Sequence, residues 1–146
     1  MTRGQRAVER FNSGWNCAQS VLWAFHEDLH LPAELAARMA CGFGGGMARR
    51  QEVCGAVTGG VLVLGMRHGQ GEKRDSAAVE TTYAKTQEFF RRFEARCGSC
   101  KCRELLVGCD LMSAEGRQKM KDDLKQRICV PCVETAVAIL ESLANE

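Results

Sequence analysis

An all-α fold, a compact bundle of six or seven helices in a single domain over residues 1–146, is what this sequence predicts. Three observations carry the prediction. Helix-forming residues dominate, and the alternation of β-branched residues that marks strands is nearly absent. Only two prolines occur, Pro32 and Pro131, each placed where a helix can start. A chain of this length buries roughly 68–70% of its unfolded surface, enough to fold without disulfides.

The elements follow in order. Residues 2–11 read as a short amphipathic helix with Ala7, Val8 and Phe11 on its apolar side, broken by Asn-Ser-Gly. Asn16 then reads as an N-cap with Gln19 completing a capping box, opening a helix over 17–29 whose buried stripe is Val21, Leu22, Phe25 and Leu29. Cys17 falls in its first turn, where free N–H groups favour a thiolate. A third helix over 32–41 carries Leu35, Met39 and Ala40, with Cys41 at its end. Cys41 to Gly65 holds eight of the fifteen glycines, a density that suggests a geometric need, since each weakens a helix by roughly 0.5–1 kcal/mol relative to Ala. Gly42 and Gly44 to Gly46 suit a loop with positive φ. A fourth helix over 52–66, apolar nearly all round, reads as central. Gly55 and Gly59 give it a bare strip, suited either to tight helix packing or to a compact inorganic group.

A long helix over 75–96 has a seam of Val79, Tyr83, Thr86, Phe90, Phe93 and Cys97, spaced for packing within the chain or in a dimer. A short helix over 102–107 follows, and residues 114–127 read as an exposed polar helix or an ordered loop. Pro131 opens the terminal helix, with core stripe Val133, Val137 and Leu140, and this puts Cys129 and Cys132 at a helix start.

Composition excludes several functions. Interspersed charges summing to +2 and only nine aromatics leave neither a nucleic-acid footprint nor a stacking platform. The longest apolar run, Val53 to Met66, is glycine-broken and too short for a membrane span. The N-terminus shows no apolar secretory segment, so a cytoplasmic location with reduced thiols is expected. His26-Glu27-Asp28-Leu29-His30 matches the zinc protease pattern H-E-x-x-H. Pro32 breaks the helix just after it, and a polar helix end is the preferred reading. No phosphate loop or dinucleotide fingerprint occurs, so no substrate can be named.

Nine cysteines, an odd count in a reducing compartment, point to metal or redox work. Spacing leaves three chemistries open. Two C-x-x-C pairs, Cys97/Cys100 and Cys129/Cys132, are candidates for a four-thiolate zinc site. Thiolates also hold iron–sulfur clusters, without contiguous spacing. Either pair is a candidate for thiol–disulfide exchange.

Asn16-Cys17-Ala18-Gln19, Phe43-Gly44-Gly45-Gly46-Met47, Glu52-Val53-Cys54-Gly55-Ala56-Val57-Thr58-Gly59 and Cys102-Arg103-Glu104-Leu105-Leu106 occur in that order, followed by a cysteine before a final helix. This series resembles the C-GCAxxG-C-C family of redox-active proteins, from about Asn12 to the C-terminus. The resemblance implies four characteristic cysteines, Cys17, Cys54, Cys102 and Cys129, as metal ligands. It implies an iron–sulfur cluster as cofactor; the first reading is therefore electron transfer to a redox partner protein, with the zinc site that spacing allows as the alternative cofactor. It also tilts Gly55 and Gly59 towards cofactor binding and the oligomeric state towards a homodimer. Cys41, Cys97, Cys100, Cys109 and Cys132 lie outside the family's set. A dithiol/disulfide enzyme is the second reading, and a structural zinc protein the third.

Overall fold

The computed structural model describes residues 1–146, and it is all-α. Each helix boundary has a local cause. α1 (Arg3–Asn12) starts at Thr2 and α2 (Cys17–Phe25) at Asn16, both through capping boxes closed by Gln5 and Gln19. α2 ends at Phe25, earlier than its sequence suggests, and residues 26–30 form turns with His30 at φ 54°. His26 and His30 therefore do not share a helix face, and His26 Nδ1 instead meets the Leu31 carbonyl at 3.0 Å. α3 (Ala33–Ala40) follows Pro32 but buries Ala36 and Ala40, leaving Leu35 and Met39 exposed.

α5 (Gly55–His68) is the central helix and packs on α2, α6 and α9. α6 (Ser76–Cys97) is capped by Asp75, whose carboxylate accepts from the Ala78 amide, and it ends at left-handed Gly98. Its core residues are Phe89 and Phe93, each fully buried and contributing about 1.5–3 kcal/mol. The expected seam is out of frame: Phe89 rather than Phe90 is the deep residue, and Tyr83 is 60% exposed.

After the one-turn α7 (Cys102–Leu105), α8 (Ala114–Lys119) runs through a π-helical stretch (Met120–Cys129) into α9 (Val130–Ala144) without a break. Cys129 has right-handed helical angles (φ −72°, ψ −38°), so neither it nor Cys132 lies at a free helix start. The expectation fails because the chain does not restart at Pro131. A π register widens the turn just before the proline ring, which would otherwise strike a carbonyl four residues back.

Two features join the helices around the cysteines. α2 crosses α5 closely enough that a Cβ on Gly59 would sit 2.6 Å from the Ala18 carbonyl oxygen. Segment 51–54 is clipped to 100–103 by an antiparallel bridge, with Cys54 N–H donating to Cys100 O (2.7 Å) and Cys102 N–H to Glu52 O (2.7 Å).

Gly59→Ala is expected to force α2 off α5 and cost about 1–3 kcal/mol. Gly65→Ala, in the same helix but facing open space, is expected to gain about 0.5–1 kcal/mol. Thermal unfolding checks the pair, since glycine loss without a steric cause would shift both in one direction.

Candidate functional site

The glycine segment folds in a way its composition only partly announces. After the 3₁₀ turn Cys41–Phe43 comes a single turn, α4 (Gly44–Met47). Five successive residues, Gly45 to Arg49, have positive φ, between 50° and 73°. For Met47, Ala48 and Arg49 this costs roughly 1–2 kcal/mol each. The strain is held by cross-turn bonds, among them Gln51 N–H to Gly45 O (3.1 Å) and Glu52 N–H to Gly46 O (2.8 Å). Gln51 is buried and ties the turn to the far wall. Its Nε2 donates to Cys109 O (2.9 Å), and its Oε1 accepts from Leu111 N–H (3.0 Å).

The turn forms one wall of a cavity of about 500 Å³. Cys17, Cys54, Cys102 and Cys129, the four cysteines of the sequence motif, all line it, with Cys41 and Cys132. They arrive from separate places: the first residue of α2, the cap of α5, the first residue of α7 and the end of the π stretch. Glycine makes the room. A Cβ on Gly55 would lie 2.3 Å from the Cys17 sulfur, and one on Gly46 would lie 2.7 Å from the Cys102 Cβ. Gly59 is not part of the lining, and its bareness serves the helix crossing.

Four cations, Arg49, Arg117, Lys121 and Lys125, line the same cavity, and no carboxylate does. Arg117 donates to Leu111 O (3.0 Å) and Lys125 to Phe11 O (3.0 Å), so both are fixed in place. The sequence held a signal for this wall. Arg117, Lys121, Lys125 and Cys129 recur at steps of four along one helical rod.

The thiols differ by environment. Burial pushes Cys17 up to about 12, aided by Cys54 and opposed by backbone amides including Gly45's. Burial also raises Cys102 to about 12, with Cys54 and Cys17 adding to it, and raises Cys129. Cys54 is held low, first because of the neighbouring Cys132 thiol; the amides of Ala56 and Val57, in the first turn of α5, add to this against burial. Outside the cavity lining, Cys97 is lowered to about 7 by the Cys132 thiol, with help from Thr135 and Arg96 against burial. Cys100 is raised by burial and by Glu94.

No three His, Cys, Asp or Glu side chains are gathered closely enough to hold one metal ion. The H-E-D-L-H segment accordingly builds no zinc site. No helix is long and apolar enough to cross a membrane.

Alkylation of Cys97 by iodoacetamide is expected to rise with pH through a midpoint near 7, because the reactive thiolate gains population as pH passes that value. Cys100 is expected to respond only at higher pH. Peptide mass spectrometry across pH 5–10 reads both; a Cys97 midpoint near the ordinary thiol value of about 8.5 would contradict the arrangement. Gln51→Leu is expected to cost about 1–3 kcal/mol, since it leaves the Cys109 carbonyl and Leu111 amide unpaired. Denaturant unfolding measures it.

The family described as "Putative redox-active protein (C_GCAxxG_C_C)" matches residues 15–143. An uncharacterised protein of Archaeoglobus fulgidus is 31% identical, over 97% of this chain and 93% of its own length. No solved structure matches. With its motif cysteines around one cavity and the match spanning nearly its whole length, the chain belongs to the C_GCAxxG_C_C family.

Proposed function

We propose that the cavity holds an iron–sulfur cluster, bound by Cys17, Cys54, Cys102 and Cys129, and that the protein passes electrons to a redox partner protein. One observation carries this reading: four thiols from four separate elements line one cavity together with four cations and no carboxylate.

The donor set fits the group. Thiolates are the usual ligands of such clusters, and the surrounding charge tunes their potential. Four thiolates bring four negative charges, and Arg49, Arg117, Lys121 and Lys125 offset them. Bare glycines beside Cys17 and Cys102 leave space where a side chain would intrude. A single zinc ion would need four sulfurs within about 2.3 Å of one point, whereas these thiols are spread around the cavity wall. Spread donors suit a group of several atoms better. When bound, a cluster supplies one-electron redox chemistry. This chain's own part is to deliver the thiols, exclude bulk water with Leu105, Leu106, Leu111 and Ile128, and balance the charge.

A second reading rests on Cys54 and Cys132. Both line the main cavity, and the Cys132 thiol is the first cause of the lowered Cys54 pKa, a pairing suited to a dithiol/disulfide couple.

Anaerobic purification followed by iron, acid-labile sulfide and zinc analysis separates the readings. Iron with sulfide is the expected result, with Cys102→Ser losing most of both and Cys41→Ser retaining them. Zinc without sulfide would support a structural metal site. A metal-free protein with a titratable Cys54–Cys132 disulfide would support the second reading. Unchanged iron in Cys102→Ser would remove that residue from the ligand set.

A further inference from the structure

The sequence offers two C-x-x-C pairs, Cys97/Cys100 and Cys129/Cys132. The tertiary structure keeps Cys129 and Cys132 on one cavity but leaves Cys100 out of the cavity that Cys97 lines. Cys129 faces the main cavity, with its sulfur 3.9 Å from the Met120 sulfur. The Cys100 carbonyl accepts from the Cys54 amide, and its thiol stays free and half-buried. Cys132, one helical turn after Cys129, lines the main cavity and also a second cavity on the far side. Cys97, the last residue of α6, lines that second cavity with it, and Cys100 does not. Thr135, one turn on from Cys132, and Arg96 stand in the same wall.

We propose that Cys97 and Cys132 form a second, reversible dithiol/disulfide site, opening to this second cavity, that exchanges electron pairs with an external thiol or disulfide. The pair lies outside the four-cysteine set, although Cys132 also borders the main cavity. Exposure assigns the roles. Cys132 is only 4% exposed, whereas Cys97 is half-buried at the cavity mouth, so Cys97 meets the partner first.

The Cys97 sulfur attacks one sulfur of an external disulfide. The external S–S bond breaks, a mixed disulfide forms and one thiolate leaves. Cys132 then attacks the Cys97 sulfur, breaking the mixed disulfide and releasing the second thiolate. The protons of Cys97 and Cys132 pass to the two departing thiolates. The protein pair loses two electrons and the external disulfide gains two; two external thiols run the sequence backwards. Cys97 is suited to attack because it is the more exposed of the two thiols and shares the cavity wall with Arg96, although a helix C-terminus opposes its thiolate.

The test uses the whole protein, purified anaerobically, with glutathione disulfide and, separately, oxidised dithiothreitol as probes. Free thiols are then blocked with N-ethylmaleimide and the linked peptides identified by mass spectrometry. A Cys97–Cys132 linkage is expected, lost in Cys97→Ser and kept in Cys100→Ser. Cys132→Ser is expected to trap one glutathione on Cys97. A Cys97–Cys100 or Cys54–Cys132 linkage in the unaltered protein, or no glutathione on Cys97 in Cys132→Ser, would overturn the proposal. Iron and sulfide measured on the same samples keep this result apart from the cluster reading, since Cys97→Ser is expected to leave both unchanged.

Discussion

The site depends first on how closely two helices can approach. α2 and α5 cross with the Ala18 backbone against Gly59 and the Cys17 sulfur against Gly55. Any side chain at either glycine would push the axes apart, and the start of α2 would swing away from the start of α5. Cys17 and Cys54 are neighbours only because both positions are bare. The bridge between segments 51–54 and 100–103 then brings Cys102 to the same wall through two backbone hydrogen bonds of 2.7 Å. The glycines are therefore structural in cause and functional in consequence. Gly59 acts at the crossing and Gly55 at the cavity surface.

Gathering thiols in a buried place costs free energy in a specific way. Each thiolate loses hydration and repels the next, which is why Cys17, Cys102 and Cys129 are all held up. The fold answers with positive charge: four cations on the wall, the first-turn amides of α5 at Cys54, and the Gly45 amide at Cys17. The left-handed turn that presents the Gly45 amide is itself strained. Three non-glycine residues within it sit in a conformation that L-residues rarely adopt. That strain is sustained by Gln51, whose backbone closes the turn and whose side chain holds the opposite wall.

Much of the fold was legible. The capping box at Asn16 and Gln19 marks the start of α2, so the position of Cys17 in a first turn followed from local chemistry. The central place of α5 followed from its nearly all-round apolar surface, of which Val57 and Leu64 are buried and Val61 and Leu62 half-buried. Tertiary context overrode local pattern elsewhere. The seam of α6 was misframed because periodicity alone cannot tell which part of a long helix has neighbours. Tyr83 is exposed and Phe89 is buried. Pro131 reads as a helix start, but the π stretch carries the helix through it, so Cys129 and Cys132 lack a free N-terminus.

The sequence by itself determined the fold class, the helix caps and the family to which the chain belongs, because these depend on residues near one another along the chain. Tertiary structure decided which thiols are partners. Cys97 lies closer in sequence to Cys100 yet shares a cavity with Cys132, and the cations facing the thiols come from the glycine turn and from a helix beginning at Ala114. Spacing in a chain fixes which residues can meet within one helical turn. Which helices then meet depends on backbone approach distances, set here by the missing side chains of two glycines and by two hydrogen bonds across a single bridge.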